Sequence, residues 1–209
     1  MKYPNFFEEK KLWKKGFKKV VGLDEVGRGP LAGPVVAAAV CFNLKFEHFR
    51  KFKEVRDSKK LSPKKREELY KILIKNPQIK WGIGKVSEKI IDKINILEAA
   101  KLAMEKAINN LKTKTDFLII DGNFKIDLPI SQKPIIKADE KVFSCAAASV
   151  IAKVTRDRIM KRYHQKYPKY AFDKHKGYPT KYHIKMLKKY KLCEIHRKSF
   201  KPVAKYYKK

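Results

Sequence analysis

An α/β fold follows from the order of patterns along these 209 residues. Short apolar runs bounded by Gly, Pro and Asp read as buried strands. They are interleaved with longer stretches whose apolar residues recur at helical spacing. An apolar content of 44% is enough for a packed core, so the chain is globular in spite of its charge.

Taken in order, residues 1–19 are Lys-rich and lead in as a short helix. Residues 20–25 and 34–42 are two strands joined by a glycine-rich turn, the pattern of a hairpin. Residues 44–56 have helical spacing with much charge. Ser62 followed by Pro63, with Glu67 a turn later, marks a helix start: a hydroxyl cap, then proline where no amide partner is needed. Residues 79–86 alternate weakly and are read as a strand. Residues 95–111 carry Ile96, Ala99, Ala100, Ala103, Met104, Ala107 and Leu111 on one helical stripe. Residues 117–120 form a buried strand ending in Asp121-Gly122, and 134–136 a shorter one ending near Asp139. Residues 144–162 are a long helix with an alanine-rich face.

Charge is the outlier. Lys and Arg number 52 against 21 acids, a formal net of +31. Such a field attracts polyanions, nucleic acid above all. Only eight of the 52 are Arg, which favours sequence-independent contact with phosphates over base reading. Lysine richness of this kind also follows from genome bias or a hot habitat. Residues 161–209 hold 17 Lys and Arg against two acids, together with ten of the 24 aromatic residues. Cations interleaved with tyrosines suit a nucleic-acid face, and the same tyrosines can pack a small core of their own. The chain is therefore divided into a core at 1–160 and a basic, Tyr-rich substrate-binding extension at 161–209.

Three cysteines, at 41, 145 and 193, form no C-x-x-C pair. That argues against a disulfide framework or a zinc knuckle and for a reducing compartment. The N-terminus lacks the apolar centre of a signal peptide, and the longest apolar run, 35–42, is far short of a membrane span. A cytoplasmic monomer with no membrane partner is expected.

The chemistry concentrates at Gly22-Leu23-Asp24-Glu25-Val26-Gly27-Arg28-Gly29-Pro30. Successive strand side chains point to opposite faces, so only one of Asp24 and Glu25 presents its carboxylate to a given side; the other can offer its main-chain carbonyl. Gly27 and Gly29 permit close backbone approach, and Arg28 adds a bidentate phosphate binder. A solvated acid pair before a turn accounts for this segment alone equally well. Asp121 and Asp139, however, also follow hydrophobic runs. If the strands share a sheet, four carboxylates converge, and such a group needs a cation. Hard oxygen donors favour Mg²⁺ or Mn²⁺, two of which can clamp a phosphodiester.

These segments resemble ribonuclease HII, the bacterial type 2 ribonuclease H. The resemblance rests on Gly22 to Ala39, on Asp57-Ser58-Lys59-Lys60-Leu61-Ser62, and on Asn95-Ile96-Leu97 with Ala103-Met104. It extends to Lys137-Ala138-Asp139, to Ala146 through Asp157, to Gly177-Tyr178-Pro179-Thr180 and to His196-Arg197-Lys198-Ser199-Phe200-Lys201-Pro202. It implies a ribonuclease H-like fold: a mixed five-stranded sheet flanked by helices, with a C-terminal helical extension. It implies an endonuclease that hydrolyses RNA in RNA/DNA hybrids and cuts 5′ of single ribonucleotides in duplex DNA, leaving 3′-hydroxyl and 5′-phosphate ends. Asp24, Glu25, Asp121 and Asp139 would be the ligands of two divalent ions. Gly27, Arg28 and Gly29 would meet the 2′-hydroxyl and Tyr178 the adjoining deoxyribose. Lys59 and Lys60 would hold phosphates, although a solvated charge run explains them nearly as well. Lys153 and Asp157 fit an ordinary i,i+4 ion pair, with a supporting place for Asp157 beside the metal site as the other reading. Ala138 stands where many relatives have Gly.

Two rivals are kept. A non-catalytic basic nucleic-acid-binding protein explains the charge but not acids at three strand ends. A ribonuclease HIII-type hybrid nuclease is disfavoured by Gly27-Arg28-Gly29.

Overall fold

The computed structural model describes residues 3–43, 52 and 54–207. Five strands form one mixed sheet in the order β3-β2-β1-β4-β5: β1 Val20–Val26, β2 Val35–Phe42, β3 Ile79–Val86, β4 Phe117–Asp121 and β5 Ser131–Ile135. β1 and β2 are the expected hairpin, antiparallel and in register from Val21 opposite Cys41 to Val26 opposite Val36. β3 continues the antiparallel side, while β4 and β5 run parallel to β1. The helices are α1 Phe7–Lys14, α2 Pro63–Lys75, α3 Glu88–Asn110, α4 Phe143–Lys166, α5 Phe172–His175, α6 Lys181–Tyr190 and α7 Lys201–Tyr207.

Alternation along the strands assigns each side chain to a layer. Val21 and Leu23 of β1, with Leu118 and Ile120 of β4, pack in the cluster that contains the alanine and methionine stripe of α3. On the opposite face Ala38, Val40 and Phe42 of β2 pack with Phe143, the α4 alanines and Leu69 and Leu73 of α2. At Gly22 the sheet and α4 touch directly: a Cβ there would lie 2.4 Å from Ser144 Oγ and 2.5 Å from the Cys145 amide nitrogen. Gly22 thus faces α4, and so does Asp24 two residues on.

Several expectations shift in detail. The helix expected from residue 95 begins at Glu88, and Asn95 interrupts it with φ 66°. Asn95 Oδ1 accepts from the Leu97 and Glu98 amides at 2.9 and 3.1 Å, so it caps the second half of α3. The last strand starts at Ser131 rather than 134, and Asp139 lies beyond it, in the 3-10 turn Ala138–Glu140. The helical reading of residues 44–56 falls largely outside the described residues; Glu54, Val55 and Arg56, which are described, are not helical. Ser62 caps α2 as expected, accepting from the Lys65 amide at 3.2 Å.

Two buried arginines tie the 27–34 loop to the chain's C-terminal part. Arg156, fully buried on α4, donates to the carbonyls of Pro34, Lys176 and Ala32 at 2.9, 2.9 and 3.1 Å. Arg197, equally buried, donates to Gly27, Arg28 and Gly33 at 2.6, 3.0 and 2.8 Å. Around them Ala32 and Met160 pack with Tyr170, Phe172, Met186 and Ile195 as a separate small core. Tyrosines divide accordingly: Tyr170 is buried, while Tyr178 and Tyr182 are exposed.

Arg197→Met keeps the length of the side chain but leaves three loop carbonyls without their donor. Each unsatisfied buried carbonyl costs about 1–3 kcal/mol, so urea unfolding should show a loss on the order of 3 kcal/mol. An unchanged midpoint would mean that the loop is not held by this residue.

Candidate metal centre

Parallel register brings two of the acids together. Leu23 pairs with Ile120, so Asp24 and Asp121, each one residue further, leave the carboxyl ends of neighbouring strands side by side. Asp139 reaches the same place from the 3-10 turn, which Asp121 itself fixes: its Oδ1 accepts the Ala138 amide at 2.7 Å. The result is a set of carboxylate oxygens, one from each of Asp24, Asp121 and Asp139, all within 4.8 Å of one another. Asp24 and Asp139 are buried and Asp121 half-buried. Asp24 Oδ1 also accepts the Glu25 amide at 2.8 Å.

The fourth predicted carboxylate is not part of this set. Glu25 alternates to the other face of β1, and its Oε1 lies 3.4 Å from Arg28 Nη1. Its Oε2 is buried with no hydrogen-bond partner among the described residues.

Burial, with the charges of neighbouring acids, raises all four carboxyls above their ordinary range. For Asp24 the causes are burial first, then the charges of Glu25, Asp121 and Asp139. Asp139 is pushed up to about 7 by burial and by Asp121 and Asp57. Burial raises Asp121 against the opposing pull of the Ala138 amide, and burial raises Glu25 against that of Arg28. Two ionised carboxylates within 4.8 Å repel by on the order of 3 kcal/mol at an effective dielectric of about 20. Three such pairs approach the whole net stability of an ordinary domain, so the set demands protons or a cation. The donor chemistry, three hard carboxylate oxygens, fits a divalent cation of the Mg²⁺ or Mn²⁺ kind.

The other predicted residues surround this point unequally. Lys59 follows Asp57, whose Oδ1 accepts the Lys59 amide at 2.9 Å. Partial burial works against the Lys59 charge, but the carboxylates of Asp57, Asp139, Asp24 and Asp121 outweigh it and raise its pKa. Lys60 instead pairs with Glu140 at 3.1 Å on the surface. Lys153 and Asp157 form their i,i+4 pair at 2.8 Å. Gly27 has φ +99°, and a Cβ on it would strike Arg156 Nε at 2.3 Å. Gly29 is open: the nearest atom to its Cβ position is Tyr178 Cε1 at 3.7 Å. The glycine loop and Tyr178, about 150 residues apart in sequence, are therefore neighbours in space.

Four residues here carry more than the sequence signalled. Asp57 is a buried acid that raises both Asp121 and Asp139. Ser149 donates to Asp24, and its Oγ lies 2.9 Å from Ser58 Oγ, which can donate to it in turn. Arg156 and Arg197 hold the loop. Arg197, which the resemblance quotes without a role, is fully buried. Nothing in a sequence distinguishes an arginine that serves main-chain carbonyls from one on the surface.

Comparison with known proteins shows the family and the fold. The sequence model of one family, Ribonuclease HII, matches residues 21–203. A protein named Ribonuclease HII from Caldicellulosiruptor bescii is 51% identical over 94% of this chain and 93% of its own length. Among solved structures, the ribonuclease H2 from Pyrococcus horikoshii OT3 superposes with a TM-score of 0.76 at 29% identity, covering 91% of this chain and 97% of that one. The structure of Bst-RNase HIII in complex with Mn²⁺ shares the fold, with a TM-score of 0.70 at 17% identity over 91% of this chain and 69% of that one. Among the described residues no helix is long and apolar enough to cross a membrane.

Because Asp139 has a folded pKa near 7 against an ordinary value of 3.8, its protonated form is favoured in the native state. The stability it contributes is present at low pH and is lost as pH rises towards 7. Asp139→Asn should therefore raise the metal-free melting temperature at pH 8, on the order of 5 °C at about 2–4 °C per kcal/mol. That advantage should shrink as pH falls towards 4. Thermal melts in a chelator at both pH values test this; a variant that melts lower at pH 8 would contradict it.

Proposed function

The chain belongs to the ribonuclease HII family, whose members are metal-dependent enzymes of the ribonuclease H type, and on that premise we propose that it cuts duplex DNA on the 5′ side of a single embedded ribonucleotide as well as hydrolysing RNA in RNA/DNA hybrids. The observation that carries this reading is the contiguity of the carboxylate set with a glycine loop and an exposed tyrosine. One part can hold a cutting centre and the other can identify a sugar.

We assign Asp24, Asp121 and Asp139 as the residues that hold divalent cations, with Glu25, whose side chain alternates to the other face of β1, as the fourth donor through its main-chain carbonyl. When bound, a pair of Mg²⁺ or Mn²⁺ ions would acidify a water and offset charge on the scissile phosphate, leaving 3′-hydroxyl and 5′-phosphate ends. The chain's own groups do the rest. Asp24 is aimed by its bond to the Glu25 amide and by Ser149, and Asp121 is aimed by the Ala138 amide. Lys59, drawn towards four carboxylates, places a cation where a phosphate must approach them. Lys60 is the second phosphate contact.

Recognition of ribose needs a group that can meet the 2′-hydroxyl, which both donates and accepts. The main chain of Gly27, Arg28 and Gly29 can do so. Arg197 occupies the Gly27 and Arg28 carbonyls from behind and sets the loop's shape. The absence of a Cβ at Gly29 leaves the loop approachable beside Tyr178. The Tyr178 ring then packs on the neighbouring deoxyribose, where a 2′-hydroxyl would fit less well, so a continuous hybrid is cut more slowly than a single-ribonucleotide duplex. Residues from 161 onward, with 17 cations against two acids, extend this surface along the duplex as a substrate-binding extension of the 1–160 core. The protein acts as a cytoplasmic monomer in this reading, with ribonucleotide excision repair as its setting.

A DNA duplex with one ribonucleotide, incubated with Mg²⁺ or Mn²⁺, should be cut once, 5′ of the ribonucleotide. An intact duplex under folding conditions would refute the proposal. Asp121→Asn retains the oxygen that accepts the Ala138 amide. It should lower kcat by about 10²-fold or more while leaving duplex affinity nearly unchanged.

Gly29→Ala separates the substrate's needs from the fold's. Its φ is not in the left-handed region and its Cβ would meet only ordinary contact, so its melting temperature should match the wild type. Cleavage at the single ribonucleotide should fall by roughly tenfold or more, the equivalent of about 1.4 kcal/mol. Unimpaired cleavage would exclude close approach of a sugar at Gly29.

A further inference from the structure

Three histidines converge behind Tyr178, and their hydrogen bonds fix one another's tautomers. His183 and His196 are fully buried. Tyr178's carbonyl can only accept, and it lies 2.9 Å from His183 Nδ1, so that nitrogen carries the proton. His183 Nε2 is then an acceptor when the ring is neutral. It lies 3.1 Å from His196 Nε2, which must donate to it. His196 Nδ1 is left as an acceptor, and it receives the Cys193 amide at 2.9 Å with the Cys193 thiol 3.1 Å away.

His175 completes the set. Its Nδ1 accepts the Gly177 amide at 3.1 Å, and its Nε2 donates to the Tyr170 carbonyl at 2.7 Å. Its ring stacks on His183 with centroids 4.5 Å apart. The main chain closes the arrangement: the Tyr178 amide donates to the His175 carbonyl at 2.9 Å, and the Leu31 amide of the glycine loop donates to Gly177 at 2.8 Å. Phe172 packs against all three imidazoles. Burial in this apolar setting lowers His183 to about 4 and His196 to about 3, so both rings stay neutral at ordinary pH.

We propose that His183 and His196, braced by His175, are positioning residues for sugar discrimination: a directed chain of neutral imidazoles, running from the Cys193 amide through His196 and His183 to the Tyr178 carbonyl, that holds the Tyr178 ring beside Gly29. This rests on the reading of Tyr178 as the ring that meets the deoxyribose. The chain's direction matters. Every nitrogen in it is used, no proton can move without breaking a bond, and the tyrosine's main chain has one seat. An aromatic ring that discriminates by shape needs such a seat, because a displacement of about 1 Å costs it much of its selectivity.

The direct test is long-range ¹H–¹⁵N NMR on the wild-type protein at pH 7.5. His183 should appear as the Nδ1–H tautomer and His196 as Nε2–H. A protonated Nε2 on His183 would overturn the proposal. The functional test compares kcat/KM on a single-ribonucleotide duplex with that on a continuous RNA/DNA hybrid, for Tyr178→Ala, His183→Phe and His183→Asn. The hybrid places no deoxyribose beside the cut, so loss of the seat should weigh on the first substrate. His183→Phe should lower the ratio by about tenfold, the effect of about 1.4 kcal/mol of lost discrimination. His183→Asn, whose amide nitrogen takes the Nδ1 position, should recover most of it. Equal losses on both substrates would reduce the histidines to a merely structural role and overturn the proposal. If Tyr178→Ala lowers the ratio while His183→Phe does not, the positioning role alone fails. If Tyr178→Ala leaves the ratio unchanged, the reading of Tyr178 fails, and this proposal with it.

Discussion

Three carboxylates that must share one largely buried site impose the constraint on which the rest of this structure depends. Asp24, Asp121 and Asp139 stand within 4.8 Å of one another in a chain whose net charge is +31. Nothing prevented such a chain from placing its few acids apart on the surface. Burying them together raises all three above their ordinary range and leaves a fourth, Glu25, with a buried oxygen unpaired among the described residues. The fold supports this arrangement through rigid elements. Parallel pairing of β1 and β4 sets Asp24 beside Asp121, and the Ala138 amide binds Asp121 to the turn that carries Asp139. Sheet register thus sets Asp24 and Asp121, and the Asp121–Ala138 hydrogen bond sets the turn of Asp139.

A second layer of polar contacts holds the glycine loop that follows the first of these acids against the surface that would read the substrate. Arg156 and Arg197 spend their donors on main-chain carbonyls of the 27–34 loop and of Lys176. Buried guanidinium groups are costly unless their donors are used, and these are used on carbonyls that the tight loop cannot pair within itself. The same contacts bring Gly29 to Tyr178 across most of the sequence. Helices α5 and α6 seat the tyrosine through imidazoles rather than through charge. That suits a surface otherwise crowded with lysine, where an exposed ammonium would be drawn to phosphate instead.

Much of this was legible in the sequence, for identifiable reasons. The β1–β2 hairpin declared itself because both strands are buried on both faces and so read as continuous apolar runs. The α2 start was readable because a Ser-Pro cap is a local signal. β3 alternated only weakly because Gly82 and Gly84 take the places on one face where large apolar residues would stand, and α3 lies directly on their backbone. The first turns of α3 were missed because Asn95 is not helical and the stripe restarts there. Of the site, Asp24 and Asp121 could be inferred from strand ends, and Asp139 from the apolar run before it although it sits in the turn beyond the strand. That the Glu25 side chain leaves the opposite face of β1 from Asp24 follows from strand alternation. Arg156, Arg197 and the three histidines were opaque, since their partners are main-chain atoms that every residue possesses.

The central claim is that the three aspartates exist to hold a divalent cation. The most direct measurement is anomalous diffraction from crystals equilibrated with Mn²⁺ at near-neutral pH. The account predicts an anomalous peak at bonding distance, about 2.0–2.2 Å, from oxygens of Asp24, Asp121 and Asp139. Ordered Mn²⁺ found only elsewhere, or a site that stays empty while the three carboxylates remain together, would contradict it.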